Sequence, residues 1–214
     1  MYETILFDFD GTVFDTIEGI TKSLQYALRK HGVEAEPAEL RCFAGPPLID
    51  MLLERYPFSR EESEQIVADF RERYQPIGLY ECRVFPGIGD LLEHLRAAGK
   101  KLGLATSKPE HLARRLLERE GLLDHFDVIC GTLGDGNDAK WQVVERAMGI
   151  LGSARESTVL IGDTKWDVAG AHRCGIPCIG VAYGYAAPGE LEAAGVDGQA
   201  ADMQVLEGML LKSE

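Results

Sequence analysis

The chain has little with which to build a membrane span, a disulfide framework or a nucleic-acid surface. No apolar run approaches the roughly 20 residues of a spanning helix. The first residues pass straight into a short apolar stretch, leaving no room for a signal peptide and pointing to the cytoplasm. Cysteine is scarce: Cys42, Cys82, Cys130, Cys174 and Cys178 are an odd, scattered set in 214 residues. They fit reduced thiols, with no zinc spacing among them. The five histidines, His31, His94, His111, His125 and His172, likewise lack ligand spacing. Positive charge is in deficit, with 22 Lys and Arg against 35 Asp and Glu and a formal net charge of -13. That balance repels a phosphate backbone and argues against nucleic acid as a partner. It also sets a condition on any anionic substrate, which must be drawn in by a local positive site that outweighs the global field at short range. Apolar residues make up 45% of the chain, enough for the core of one large or two modest domains.

Acidic residues, by contrast, stand at informative places. Thr4-Ile5-Leu6-Phe7 reads as a short buried strand, and Asp8-Phe9-Asp10-Gly11-Thr12 follows at its exit. Alternation along a strand sends Asp8 and Asp10 to one side, and Gly11 lets the chain curl so that both gather about one point. Crowded carboxylates repel unless a cation joins them, and a hard divalent ion such as Mg²⁺ suits an all-oxygen site. A calcium loop does not fit, because the glycine and glutamate that such a loop requires at its sixth and twelfth positions are missing.

Three further signals follow in order. Thr106 ends the apolar run Leu102-Gly103-Leu104-Ala105, and Ser107 with Glu110 has the spacing of a capping box opening an amphipathic helix. A hydroxyl at such a helix start suits a phosphate oxygen. Lys140 precedes a helical stretch whose Val143, Val144, Ala147 and Ile150 form an apolar stripe. Val159-Leu160-Ile161-Gly162 reads as another buried strand, with Asp163 and Asp167 at its acidic exit.

Taken together, these four segments resemble the motifs of the haloacid dehalogenase superfamily, most of whose members are Mg²⁺-dependent phosphatases. The resemblance covers nearly the whole chain and points to the phosphoglycolate phosphatase-like branch. It implies that Asp8 is the nucleophile and that Asp10 acts as acid and then base. Asp8 and Asp163, with the Asp10 carbonyl, would hold Mg²⁺, and Asp167 would support that shell or Lys140. Thr106, Lys140, Gly11, Thr12 and Ser107 would hold the phosphate. Arg41, Gly45 and Pro46, in the stiff Gly45-Pro46-Pro47 loop, would face the substrate. Asp10 favours phosphate ester hydrolysis, since relatives cleaving carbon-halogen or carbon-phosphorus bonds generally lack a carboxylate there. The expected substrate is a small phosphorylated metabolite such as phosphoglycolate. A nucleotidase, a sugar phosphatase, a β-phosphoglucomutase-like mutase and a phosphate- or metal-binding protein without turnover stand as alternatives.

The expected strands, at residues 4–9, 101–106, 127–131, 158–162 and 177–181, alternate with helices. This pattern gives an α/β fold, a doubly wound parallel sheet with a Rossmann-like core. Asp8, Asp10, Thr106 and Asp163 all fall at strand exits, where ligands of such sheets bind. Residues 15–80 break the alternation. Ile17, Ile20, Leu24 and Leu28 form one helical face, and Ile66, Val67, Phe70 and Tyr74 another. They read as an all-helical cap inserted after the first strand, with the core made of residues 1–14 and 81–214. Trp141 and Trp166 read as packing residues, 195–201 as a connector, and oligomeric state leaves no mark in the sequence.

Overall fold

The computed structural model describes residues 2–45, 47–133 and 138–211. The chain divides into two compact units, Met1–Phe14 with Val84–Glu214, and Asp15–Arg83.

In chain order, the elements are β1 (Thr4–Phe7), β2 (Phe14–Asp15), α1 (Ile17–Lys30), α2 (Leu48–Arg55), α3 (Arg60–Tyr74), β3 (Arg83–Val84), α4 (Ile88–Ala97) and β4 (Lys101–Pro109). There follow α5 (Glu110–Arg119), β5 (Val128–Thr132), α6 (Lys140–Leu151), β6 (Thr158–Gly162), α7 (Lys165–Arg173), β7 (Cys178–Val181), α8 (Glu190–Ala193), β8 (Gly198–Ala200) and α9 (Met203–Leu211).

The larger unit is an α/β fold of the doubly wound, Rossmann-like kind. Six parallel strands stand in the order β5-β4-β1-β6-β7-β8 with helices on both sides. β1 lies inside, with Phe7 opposite Leu104 of β4 and Ile161 of β6. All four of its residues are buried, as expected of a strand covered on both faces. On one face Leu6, Leu160 and Cys178 meet Val143, Val144, Ala147 and Met148 of α6 and Val168 and Ala171 of α7. Phe7 points the other way and meets the edge of the Phe126 ring, 6.2 Å between centroids. The chain leaves β1 toward β4 and β5 and later returns to β6 on the opposite side, so the order of winding reverses beside β1. Clefts of such sheets open at this place, beyond the carboxyl ends of the strands.

The smaller unit is built on helices. Leu24, Ala27 and Leu28 of α1 pack with Leu52 of α2 and Ile66 and Val67 of α3 in their own core. α3 opens with a capping box: the Glu62 N–H donates to Ser59 Oγ (3.2 Å) and the Ser59 N–H to Glu62 Oε2 (2.7 Å). β2 and β3 pair as a two-stranded ribbon at the two places where the chain passes from one unit to the other.

Several local expectations change. β4 runs on to Pro109 with a register shift against β5 between Ala105 and Pro109, and α5 starts at Glu110 with no side-chain cap. The Ser107/Glu110 capping box is therefore not formed, because a residue before proline is pushed out of the helical region and the strand persists. Residues 198–200, expected within a connector, form the edge strand β8 beside β7, Ile179 opposite Gly198. Gly-Gln-Ala has neither the branching nor the alternation that marks a strand in sequence. Ile150 is exposed, and Met148 fills the inner face of α6. Trp166 is exposed as well, whereas Trp141 lies under the Arg173 guanidinium, 4.1 Å from its ring centre. Among the described residues, no helix is long and apolar enough to cross a membrane.

Candidate active site

Four stretches of the larger unit meet at the carboxyl end of the sheet. The Asp8 N–H donates to the Ile161 carbonyl (2.8 Å), which extends β1 pairing by one residue and fixes where the Asp8 side chain leaves the sheet. The chain then curls: the N–H groups of Val13 and Phe14 return to the Phe9 carbonyl at 3.0 and 2.9 Å. Gly11 takes φ +85°, a conformation that L side chains avoid. A Cβ at Gly11 would lie 2.1 Å from Asp163 Oδ2, so the loop reaches the acidic side chain of β6 only through glycine. Stacked Phe9 and Phe14, 4.5 Å between centroids, close the base of the curl.

Asp163 follows β6 and is fully buried. Its Oδ2 accepts the Tyr185 N–H (2.8 Å) and its Oδ1 the Thr12 hydroxyl (3.3 Å). Asp167, in the first turn of α7, accepts the N–H groups of Asp163 (3.2 Å) and Thr164 (3.0 Å) and the Thr164 hydroxyl (2.8 Å) on Oδ2. The helix N-terminus favours its charge. The other oxygen of Asp167 faces Lys140 Nζ at 2.6 Å, and Lys140 also reaches Asp8 Oδ1 at 2.5 Å. Lys140 opens α6, and Gly170 of α7 makes room for its stem, since a Cβ there would meet Lys140 Cγ at 2.6 Å.

Asp8, Asp163 and Asp167 each offer an oxygen within 4.8 Å of the others, all three residues being buried. Burial raises the Asp8 carboxyl to about 7, against the pull of Lys140, with Asp167 and Asp10 pushing the same way as burial. Asp163 stands well above the ordinary carboxyl range, first through burial and then through Asp167 and Asp8. For Lys140, burial favours the neutral amine, but Asp167 and Asp8 outweigh it and hold the ammonium above its ordinary value. Asp8 and Asp167 share the one ammonium and Asp163 adds a third carboxyl, an all-oxygen donor set that fits a hard divalent cation, whose charge would favour the ionised carboxylates.

Thr106 is buried in β4, its hydroxyl accepting the Lys108 N–H at 3.1 Å. Ser107 is half-buried and its carbonyl accepts the Thr132 hydroxyl (3.4 Å). Asp10 is partly buried, and its carboxylate meets Lys108 Nζ at 2.9 and 3.2 Å. Lys108 is a member of the site that the motifs do not single out. Its sequence signal is period-two spacing with Thr106, masked by the helix start expected at Ser107. Arg41 lies in a short 3-10 turn (Arg41–Phe43), exposed, and Gly45 takes φ +113°; both belong to the helical unit. Pro46 lies outside the described residues.

The family of haloacid dehalogenase-like hydrolases matches residues 5–181. A 5'-nucleotidase of Pseudomonas aeruginosa is 40% identical over 98% of this chain and 96% of its own length. A phosphoglycolate phosphatase of Yersinia pseudotuberculosis is 32% identical, covering 85% of this chain and 81% of that protein. Among solved structures, that of "a predicted phosphatase" from Clostridium acetobutylicum superimposes with a TM-score of 0.95 at 36% identity, covering 99% of both chains. The chain belongs to the haloacid dehalogenase-like hydrolase family.

Proposed function

We propose that this hydrolase is a Mg²⁺-dependent phosphatase that releases phosphate from small phosphomonoesters through a phosphorylated Asp8. One observation carries the reading: Asp8, Asp163 and Asp167 are buried together against Lys140 at the strand ends. A buried group of like charges is costly for folding and useful for phosphoryl transfer.

Asp8, Asp163 and the Asp10 carbonyl would hold the ion, with Asp167 orienting Lys140 and supporting that shell. Bound there, Mg²⁺ would supply positive charge that offsets the charge building on the phosphoryl oxygens. Asp8 attacks phosphorus in line, forming an O–P bond while the bond to the leaving oxygen breaks. Asp10 gives a proton to that oxygen and then takes one from the water that attacks the aspartyl-phosphate, freeing Asp8 and phosphate. Lys140 and Thr106, with Thr12 and Ser107, hold the phosphoryl oxygens, while Gly11 shapes the loop, its N–H donating to the Phe14 carbonyl (2.8 Å).

Phosphoglycolate and nucleoside 5'-monophosphates are the first substrates to try, the two chemistries carried by the names of the relatives. The five cysteines, all free, accord with a reducing cytoplasm. The test is a panel of phosphoglycolate, nucleoside monophosphates and sugar phosphates, each with Mg²⁺ or with chelator, for wild type and Asp8→Asn. Phosphate release that needs both the ion and Asp8 supports the reading; equal release by the two proteins refutes it. A hexose 1-phosphate with a trace of bisphosphate, yielding isomer in place of free phosphate, would favour a mutase instead.

A further inference from the structure

We propose that Lys108 is a positioning residue that pins the Asp10 carboxylate as the acceptor for the proton of the attacking water, an inference that rests on the roles given above to Asp8 and Asp10. The Lys108 side chain is only 4% exposed, and its ammonium engages both oxygens of Asp10, at 2.9 and 3.2 Å. Withdrawing a lysine from water in a folded core is costly, so a fixed ion pair there marks a constrained geometry. The ammonium also lies over the buried Phe9 ring, 5.5 Å from its centre.

The backbone explains how Lys108 arrives. β4 continues past Ala105, and its register against β5 shifts before Pro109. Irregularities of this kind re-aim side chains beside active sites. Thr106 and Lys108, two apart on the strand, are both buried while Ser107 between them is half-exposed. The Lys108 N–H donates to the Thr106 hydroxyl (3.1 Å), so a single residue ties Thr106 at its backbone and Asp10 at its side-chain tip. Asp10 in turn stands near enough to Asp8 to push its carboxyl upward. The pair fixes the orientation of the Asp10 carboxylate on the loop that curls after β1.

In the second half of the reaction the water oxygen bonds to phosphorus, the bond from phosphorus to Asp8 breaks with its electron pair returning to the Asp8 carboxylate, and the water proton passes to Asp10. Misplacement of an acceptor by about 1 Å costs on the order of 100-fold in rate. The pair therefore governs loss of the phosphoryl group from Asp8 more than its arrival. The competing role is a direct contact between Lys108 and the substrate, which would act on binding.

Rapid mixing of 4-nitrophenyl phosphate and Mg²⁺ with wild type, Lys108→Met, Asp10→Asn, the double variant and Lys108→Arg separates the two. This leaving group departs without a proton donor, so only the second half depends on Asp10. Lys108→Met should lower kcat by about 10- to 100-fold and KM by about the same factor, leaving kcat/KM within about 3-fold, and show a burst of one nitrophenol per enzyme before slow turnover. Adding Lys108→Met to Asp10→Asn should change nothing further, and Lys108→Arg should recover most of the missing rate. Penalties that multiply in the double variant, a raised KM at unchanged kcat, or an arginine variant as slow as the methionine one would each overturn the proposal. If Lys108→Met does not fold, Lys108→Gln enters the same cycle with the same deciding outcomes. A wild type inactive on every phosphomonoester would instead sink the phosphatase reading itself.

Discussion

Asp8→Asn should stabilise the metal-free protein at neutral pH relative to wild type, and the gain should disappear in acid. In the folded chain the Asp8 carboxyl titrates near 7, raised by burial, against an ordinary value of 3.8. Below about pH 4 the group is protonated in both folded and unfolded chains and makes no difference to stability. As pH rises through the interval, the unfolded chain loses its proton while the folded chain retains it, so the folded state is penalised by an amount that grows until both are ionised. Each pH unit of this linkage is worth about 1.4 kcal/mol, so the full interval amounts to about 4 kcal/mol. Asparagine does not titrate. Its removal of charge also relieves Asp163, which Asp8 pushes upward, and that acts in the same direction. The pull of Lys140 on the ionised Asp8, which asparagine does not feel, is already contained in that value, and the hydrogen bonds that differ between the two side chains make the trend of the difference with pH the quantity to read. Thermal melts of both proteins in chelator between about pH 4 and pH 8 should show the variant gaining about 8–16 °C on wild type. A difference that is flat, or that falls as pH rises, would refute burial as the force acting on Asp8.

Other perturbations reach the same site. Mg²⁺ at about 100 times its Kd should add about 2.7 kcal/mol to wild-type stability, read as a rise in Tm, and Asp163→Asn should abolish the rise. Lys140→Met should lower kcat by about 100- to 1000-fold, as removal of a charged partner of the phosphoryl oxygens does. It should also lower the Tm of the metal-free protein, because Asp8 and Asp167 are deprived of the cation they share. Gly11→Ala should destabilise by about 2 kcal/mol through its positive φ alone. Since the added Cβ would fall on Asp163 Oδ2, its Mg²⁺-induced rise in Tm should shrink as well.

The sheet was legible because its signal is local and repeated: short apolar runs such as Thr4-Ile5-Leu6-Phe7 and Val159-Leu160-Ile161-Gly162 alternate with amphipathic stretches. The acids were legible because each follows such a run. What escaped depended on partners remote in sequence. β8 has its strand character from pairing with β7, not from Gly198-Gln199-Ala200 itself. Lys140, which in sequence looks like any lysine near a helix start, has its character from two carboxylates that arrive from β1 and α7. Lys108 was hidden by a helix start that Pro109 forbids to form so early. The cradle around the acids was equally silent: nothing in sequence tells that Gly11 and Gly170 are there to let Asp163 and Lys140 approach.

The central claim is that Asp8 takes the phosphoryl group, and acid quenching within the first turnover tests it most directly. With Asp10→Asn slowing release, digestion and mass spectrometry of the quenched protein should find a phosphoryl group on the peptide containing residue 8, and none when Asp8→Asn is added. Phosphate released at the wild-type rate with that peptide unmodified, or a phosphoryl group on another residue, would contradict the account.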